Sequence, residues 1–108
     1  MKLVNIDYVP GYEVVEALGV VKGQIVQSKN IGRDFMASMK TIVGGEIASY
    51  TDMIKTARQM ATKRMVDEAN SLGADAVINI RYGASAVMNG AAEIIAYGTA
   101  VKLEKIDK

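Results

Sequence analysis

Between Ser49 and Leu72 the apolar residues recur at spacings of three and four. Met53, Ile54, Ala57, Met60, Ala61, Met65, Ala69 and Leu72 therefore share one face of a 3.6-residue helix. Lys55, Arg58, Gln59, Lys63, Asp67 and Ser71 fall on the opposite, solvated face. Ser49 stands where an N-cap is expected, with Asp52 three residues on as a capping-box partner. Gly73 stands where a left-handed residue closes a helix. Such a helix is roughly 35 Å long and would match strands of about ten residues.

The rest of the chain reads as strands with a second, shorter helix. Tyr12 to Ser28 is rich in Val and Ile. Strict alternation puts Val14, Glu16, Leu18, Val20 and Lys22 on one face, and Val15, Ala17, Gly19, Val21, Gly23 and Ile25 on the other. Gly19 and Gly23 inside a strand point to a bulge, a bend or the close approach of another backbone. Asn30 to Val43 predicts a short helix stopped by Gly44-Gly45. Ala76 to Tyr82 alternates Ala76, Ile78, Ile80 and Tyr82 with Val77, Asn79 and Arg81. Asn89-Gly90 is a strong signal for a tight hairpin turn into the last strand, Ala91 to Leu103, which contains Gly98. Val4, Ile6 and Tyr8 before Pro10-Gly11 fit a short edge strand and, equally, an arm that pairs with another chain.

These elements predict one α+β domain over residues 1–108: a long helix packed on a three-stranded antiparallel sheet, plus a short helix. The last strand belongs in the middle, antiparallel to both neighbours. One helix covers one face of such a sheet. The first and last strands are apolar or small on both faces, so a monomer would expose a contiguous apolar patch. A homo-oligomer that buries it is the expectation, either over the face or along an open strand edge. The short helix folded over that face is the alternative.

Composition then narrows the chemistry. The chain has 108 residues, 13 Lys plus Arg against 12 Asp plus Glu, and a net charge of +1, so no basic field points to nucleic acid or an anionic membrane. No apolar run is long enough to span a bilayer, and the expected compartment is the cytoplasm. Cysteine and histidine are both absent, which excludes disulfides, thiolate catalysis and Cys- or His-ligated metal sites.

No constellation in the chain specifies a reaction, and no cofactor is identifiable. Seven methionines are present, and those on helix faces fill core most simply. A hard divalent metal could use carboxylates, with Glu16 and Glu93 as the first candidates because both interrupt apolar strand faces. Asp34, Glu46 and Asp75 are further oxygen donors. For a small ligand or anion the candidates are Asn30, Arg33, Asp34, Glu46, Asn79 and Arg81; Asn79 and Arg81 share the more polar face of a strand. Gly44-Gly45 before Glu46 is not a phosphate-loop fingerprint and reads more simply as a helix stop.

Four separated segments carry a resemblance: YEVVEALGVVKGQIVQSKNIGRDF from Tyr12, the Val43-Gly44-Gly45-Glu46 turn, Leu72-Gly73-Ala74-Asp75-Ala76-Val77, and Ala96-Tyr97-Gly98-Thr99-Ala100-Val101. Together they resemble the YbjQ-like family, a bacterial family often labelled "putative heavy-metal-binding domain". The resemblance covers nearly the whole chain. It implies a dodecin-subunit-like β-α-β-β fold and assembly into a ring of five. It brings no agreed catalytic residues. The expected function is a homo-oligomeric binding or scaffold module with any ligand held between subunits. A metal or small-anion binder and an enzyme of unknown reaction are the alternatives.

Overall fold

A computed structural model gives the fold over residues 1–28, 48–88 and 91–107. At residues 28, 48–53, 86–88 and 91 the description is of the backbone alone. The expected short helix, the Gly44-Gly45 stop and the Asn89-Gly90 turn lie outside the described residues. The elements are β1 (Lys2–Leu3), β2 (Tyr12–Ser28), α1 (Ala48–Ser71), β3 (Ala76–Met88) and β4 (Ala91–Lys105). They form one sheet in the order β1-β3-β4-β2. β4 is central and antiparallel to both β2 and β3, as the sequence order predicts.

The sheet has four strands rather than three. The N-terminal residues stay within the chain and pair parallel to β3. Beyond the two residues of β1 the backbone bonds continue: Val4 N–H donates to Val77 at 3.1 Å, Ile80 N–H to Val4 at 3.1 Å and Asn79 N–H to Ile6 at 2.9 Å. The arm then turns over the sheet, and Val9 is buried with Ala76, Ile78 and Val101.

Helix α1 lies on the opposite face by a narrow stripe. Ala57, Ala61, Met65 and Ala69, four apart, are fully buried, and Ile54 and Val66 flank them. Met60 is 39% exposed and Leu72 46% exposed, so neither joins the buried face as the wider stripe predicts. Three of the four stripe residues are alanine, which lets the helix axis approach the sheet so closely that only the central line makes contact. Gly23 is the point of closest approach. A Cβ there would collide with the Ala61 carbonyl oxygen and come within 2.5 Å of the Met65 nitrogen. Ser49 falls inside the first turn of α1 rather than ahead of it, within the ordinary fraying of helix ends. Gly73 closes the helix at φ +77°, with Ala74 N–H donating back to Ala69 at 3.1 Å.

Bulges in β3 and β2 overturn strict alternation, and a further register shift in β3 falls between Ala86 and Met88. In β3 the register shifts between Ile78 and Arg81, where Asn79 takes φ +54°, a left-handed conformation that asparagine tolerates better than most residues. Ala76 and Ile78 consequently face the N-terminal arm, while Val77 and Ile80 join the core beneath α1. In β2 the register shifts between Val14 and Glu16 and between Ala17 and Gly19, where Gly19 has φ +126°. Leu18 therefore packs beneath α1 with Val21, away from Val20 and Lys22.

The strands run to 17, 13 and 15 residues, well beyond the ten that would match the helix. A 17-residue strand spans roughly 55 Å, close to the molecule's longest dimension of 57 Å. The 24 residues of α1 span roughly 36 Å, so the sheet overhangs its helix. At the overhang, residues 13–17 of β2 are all exposed.

Candidate functional site

The register of the sheet assembles a surface on the face away from α1. Val20, Lys22, Gln24 and Val26 of β2 stand opposite Thr99, Tyr97, Ile95 and Glu93 of β4. Arg81, Gly83 and Ser85 of β3 stand opposite Tyr97, Ile95 and Glu93 from the other side. The described residues leave this surface bare: Val20 is 71% exposed, Val26 55% and Tyr97 42%. Across it runs one transverse row, Lys22–Tyr97–Arg81, a cation on each side of a tyrosine. Two residues along, Gln24 Nε2 donates to Glu93 Oε2 at 3.3 Å. Cations flanking an aromatic ring with an amide nearby can hold an anion or a planar polar group.

Arg81 and Asn79 also hold the N-terminal arm. Arg81 Nη1 donates to the Asn5 carbonyl at 2.9 Å and to the Ile80 carbonyl at 3.0 Å. Asn79 contributes its backbone N–H to Ile6. Between arm and strand lies a groove of about 380 Å³ lined by Leu3, Val4, Asn5, Ile6, Ile80 and Tyr82. The Tyr82 hydroxyl is 2.9 Å from Thr62 Oγ1, so this groove also touches α1. Arg81→Ala should release the arm, at about 1.5–3 kcal/mol for a charged hydrogen bond. Hydrogen exchange reads it directly: the Val4 and Ile80 amides should lose protection, and unchanged protection would show that Arg81 is not the clasp.

Glu16 and Glu93 lie on neighbouring strands but are not brought together. Glu16 pairs with Lys102 of β4. Lys102 and Glu93 are 102 − 93 = 9 positions apart on β4, hence on opposite faces and roughly 30 Å apart. Asp75 is engaged in the fold: its Oδ2 accepts from Leu103 N–H at 2.8 Å, and Oδ1 is 4.0 Å from Lys102 Nζ. Lys102 Nζ in turn donates to the Gly73 carbonyl at 2.9 Å, fastening the helix exit to β4. Among the described residues no three His, Cys, Asp or Glu side chains cluster as a metal site. Asn30, Arg33, Asp34 and Glu46 lie outside the described residues.

Lys22, Gln24 and Tyr97 were not singled out by sequence. Alternation puts each on an outward face, but the register that aligns them with Arg81 depends on the bulges at Gly19 and Asn79. At Gly98 the backbone packs closely: a Cβ there would meet Val77 Cγ1 at 2.7 Å and the Ile78 carbonyl at 2.9 Å, at the bulge in β3.

Comparison with known proteins supports the fold. A protein named UPF0145 from Fervidobacterium nodosum is 58% identical over 108 residues, the full length of both chains. One from Thermotoga maritima is 58% identical over 98% of this chain and all of its own length. One from Clostridium novyi is 59% identical over 95% of this chain and 99% of its own. A crystal structure from Pediococcus pentosaceus, of a protein with unknown function in the DUF74 family, superposes with a TM-score of 0.65. It covers 96% of this chain and 98% of that one at 17% identity, and so speaks to the fold alone. No helix among the described residues is long and apolar enough to cross a membrane. The family model that matches residues 1–104 is described as "putative heavy-metal-binding", and the chain belongs to that family, YbjQ.

Proposed function

We propose that the chain is a dodecin-subunit-like building block of a cytoplasmic homo-oligomer, a ring of five, that acts as a binding or scaffold module with its ligand held between subunits. The bare sheet face carries this reading: Val20, Val26 and Tyr97 stand exposed beside Lys22 and Arg81 on a regular, bonded surface. Covering the apolar part offers the usual burial gain of about 25 cal/mol per Å². The polar row supplies the specificity that an apolar interface lacks.

The heavy-metal description fits these residues poorly. Soft metals take thiolate, imidazole or thioether ligands. The chain has neither cysteine nor histidine. Of the described thioethers, Met65 is fully buried in the core, while Met1 and Met60 are 46% and 39% exposed. A small polar or anionic ligand is the better match to Lys22, Tyr97 and Arg81.

Val20→Lys combined with Val26→Lys tests the reading. Both residues are exposed in the single chain, so the fold should change by no more than about 0.5 kcal/mol at each site. Two charges forced into a buried contact should shift sedimentation towards the monomer. An unchanged oligomer mass would show that this face is not where copies meet.

A further inference from the structure

The sheet face away from α1 continues beyond its bare part. On that side β4 presents Tyr97, Thr99 and Val101 in succession, and β3 sets Arg81, Ile78 and Ala76 beside them. Ala76, Ile78 and Val101 are buried beneath the N-terminal arm, chiefly by Val9. They form a cluster separate from the core under α1, so the arm can leave without disturbing the packing of the helix. The arm is lightly held. Within residues 1–11 only Val9 is buried, while Met1, Leu3, Ile6 and Tyr8 are exposed. Its backbone bonds to β3 and the residue before it run only from Lys2 to Ile6. Lys2 Nζ lies 4.8 Å from the centre of the Tyr12 ring, and Arg81 Nη1 holds the Asn5 carbonyl. Few buried apolar contacts and exposed backbone bonds mark a segment that opens before the rest of a fold.

A pivot is built in as well. Ile106 N–H donates to the Gly11 carbonyl at 2.9 Å, which fixes the start of β2 against the end of β4. Gly11 takes φ +84° with nothing within 4 Å of a Cβ, a conformation that glycine reaches freely. Motion is thus confined to the residues before Gly11. Arg81 stands at the boundary. It belongs to the exposed row with Tyr97 and Lys22, and its Nη1 is occupied by the Asn5 and Ile80 carbonyls. We propose that the arm is a hinged strap, with Val9 as its latch and Arg81 as its clasp, that opens about Gly11 while the sheet stays folded. Opening adds Ala76, Ile78 and Val101 to the bare face and frees Arg81 from Asn5 on that same face. The strap thereby regulates how much of the face is open. This regulatory part rests on the binding-face reading above; the opening itself does not.

A reversible lock tests the strap within one folded protein. Lys2 and Ala76 are register partners on adjacent strands, about 5 Å apart and inside the roughly 4.4–6.8 Å range of a disulfide. The chain has no cysteine, so oxidised K2C/A76C carries that link alone. In the wild-type protein and the reduced variant, hydrogen-exchange protection of the Val4, Asn79 and Ile80 amides should lie roughly 100-fold or more below that of Ala96 and Ala100 in the central strand. Oxidation should raise the protection of Val4, Asn79 and Ile80 by roughly tenfold or more. Arm amides that exchange together with Ala96 and Ala100, or that ignore the lock, overturn the strap. The apolar anion anilinonaphthalene sulfonate is the probe for the uncovered face, and its fluorescence with the protein should rise by roughly threefold or more on reduction of the lock. Equal binding by both forms overturns the regulatory part alone. Binding by neither form overturns that part together with the binding-face reading, and the exchange data then report the opening on their own.

Discussion

Gly23→Val should prevent the native packing of α1 on the sheet. The hydrogen of Gly23 faces the backbone of the helix at Ala61 and Met65, and the β-carbon of Arg64 is 2.8 Å from where a Cβ would stand. Backbone cannot rotate away as a side chain can, so the helix must lift along its whole contact line. Separating Ala57, Ala61, Met65 and Ala69 from Val21 and Ile25 would cost about 4 kcal/mol or more, in the range of exceptional single substitutions. Urea denaturation should show a collapsed midpoint or no cooperative transition, and Gly23→Ala should show a smaller loss of the same kind. The contrast with Gly19 is informative. Nothing lies within 4 Å of a Cβ at Gly19, and its constraint is the φ of +126° at the bulge. Gly19→Ala should therefore cost about 1–3 kcal/mol from backbone strain alone. A wild-type midpoint for Gly23→Val would contradict the position of the helix.

Met65→Ala should be the most damaging side-chain truncation on α1, at about 2–5 kcal/mol. Met65 is the one large side chain in a stripe otherwise made of Ala57, Ala61 and Ala69, and it is fully buried. The alanines bring the helix close, and Met65 fills the space that their small size leaves over β2. Met65→Leu keeps the volume and should cost less than about 1.5 kcal/mol. The pair separates packing from ligation. If a thioether bound metal here, leucine would be no better than alanine in a metal-dependent property. If Met65 is core, leucine restores most of the midpoint in chemical denaturation.

The helix, the central last strand and the glycine stop at Gly73 were legible because each depends on local spacing or a local backbone need. Which residues share a strand face was less legible. Bulges shift the parity within β2 and β3, and neither Asn79 nor Gly19 declares in sequence how the pairing shifts around it. That is why Ile80 lies under the helix while Ile78 lies under the arm. It is also why Arg81 lines up with Tyr97 and Lys22. The sequence flagged a bulge, a bend or a close approach at both Gly19 and Gly23, and long-range packing divides the roles. Met60 shows the same limit: helical period puts it beside the buried face, but the width of that face is set by how near the sheet lies. Of the candidate site, Arg81 and Asn79 were recognisable as polar residues on a strand. Their partners depend on register, and a second copy's contribution has no trace in one chain's periodicity.

Native mass spectrometry of freshly purified, untagged protein tests the central claim most directly. The account predicts a single closed oligomer, at five times the 11.6 kDa chain mass, with a small anion retained in a share of the particles. A stable monomer at the same concentration would contradict it, because the sheet face that the described residues leave bare would then be predicted to need no second copy.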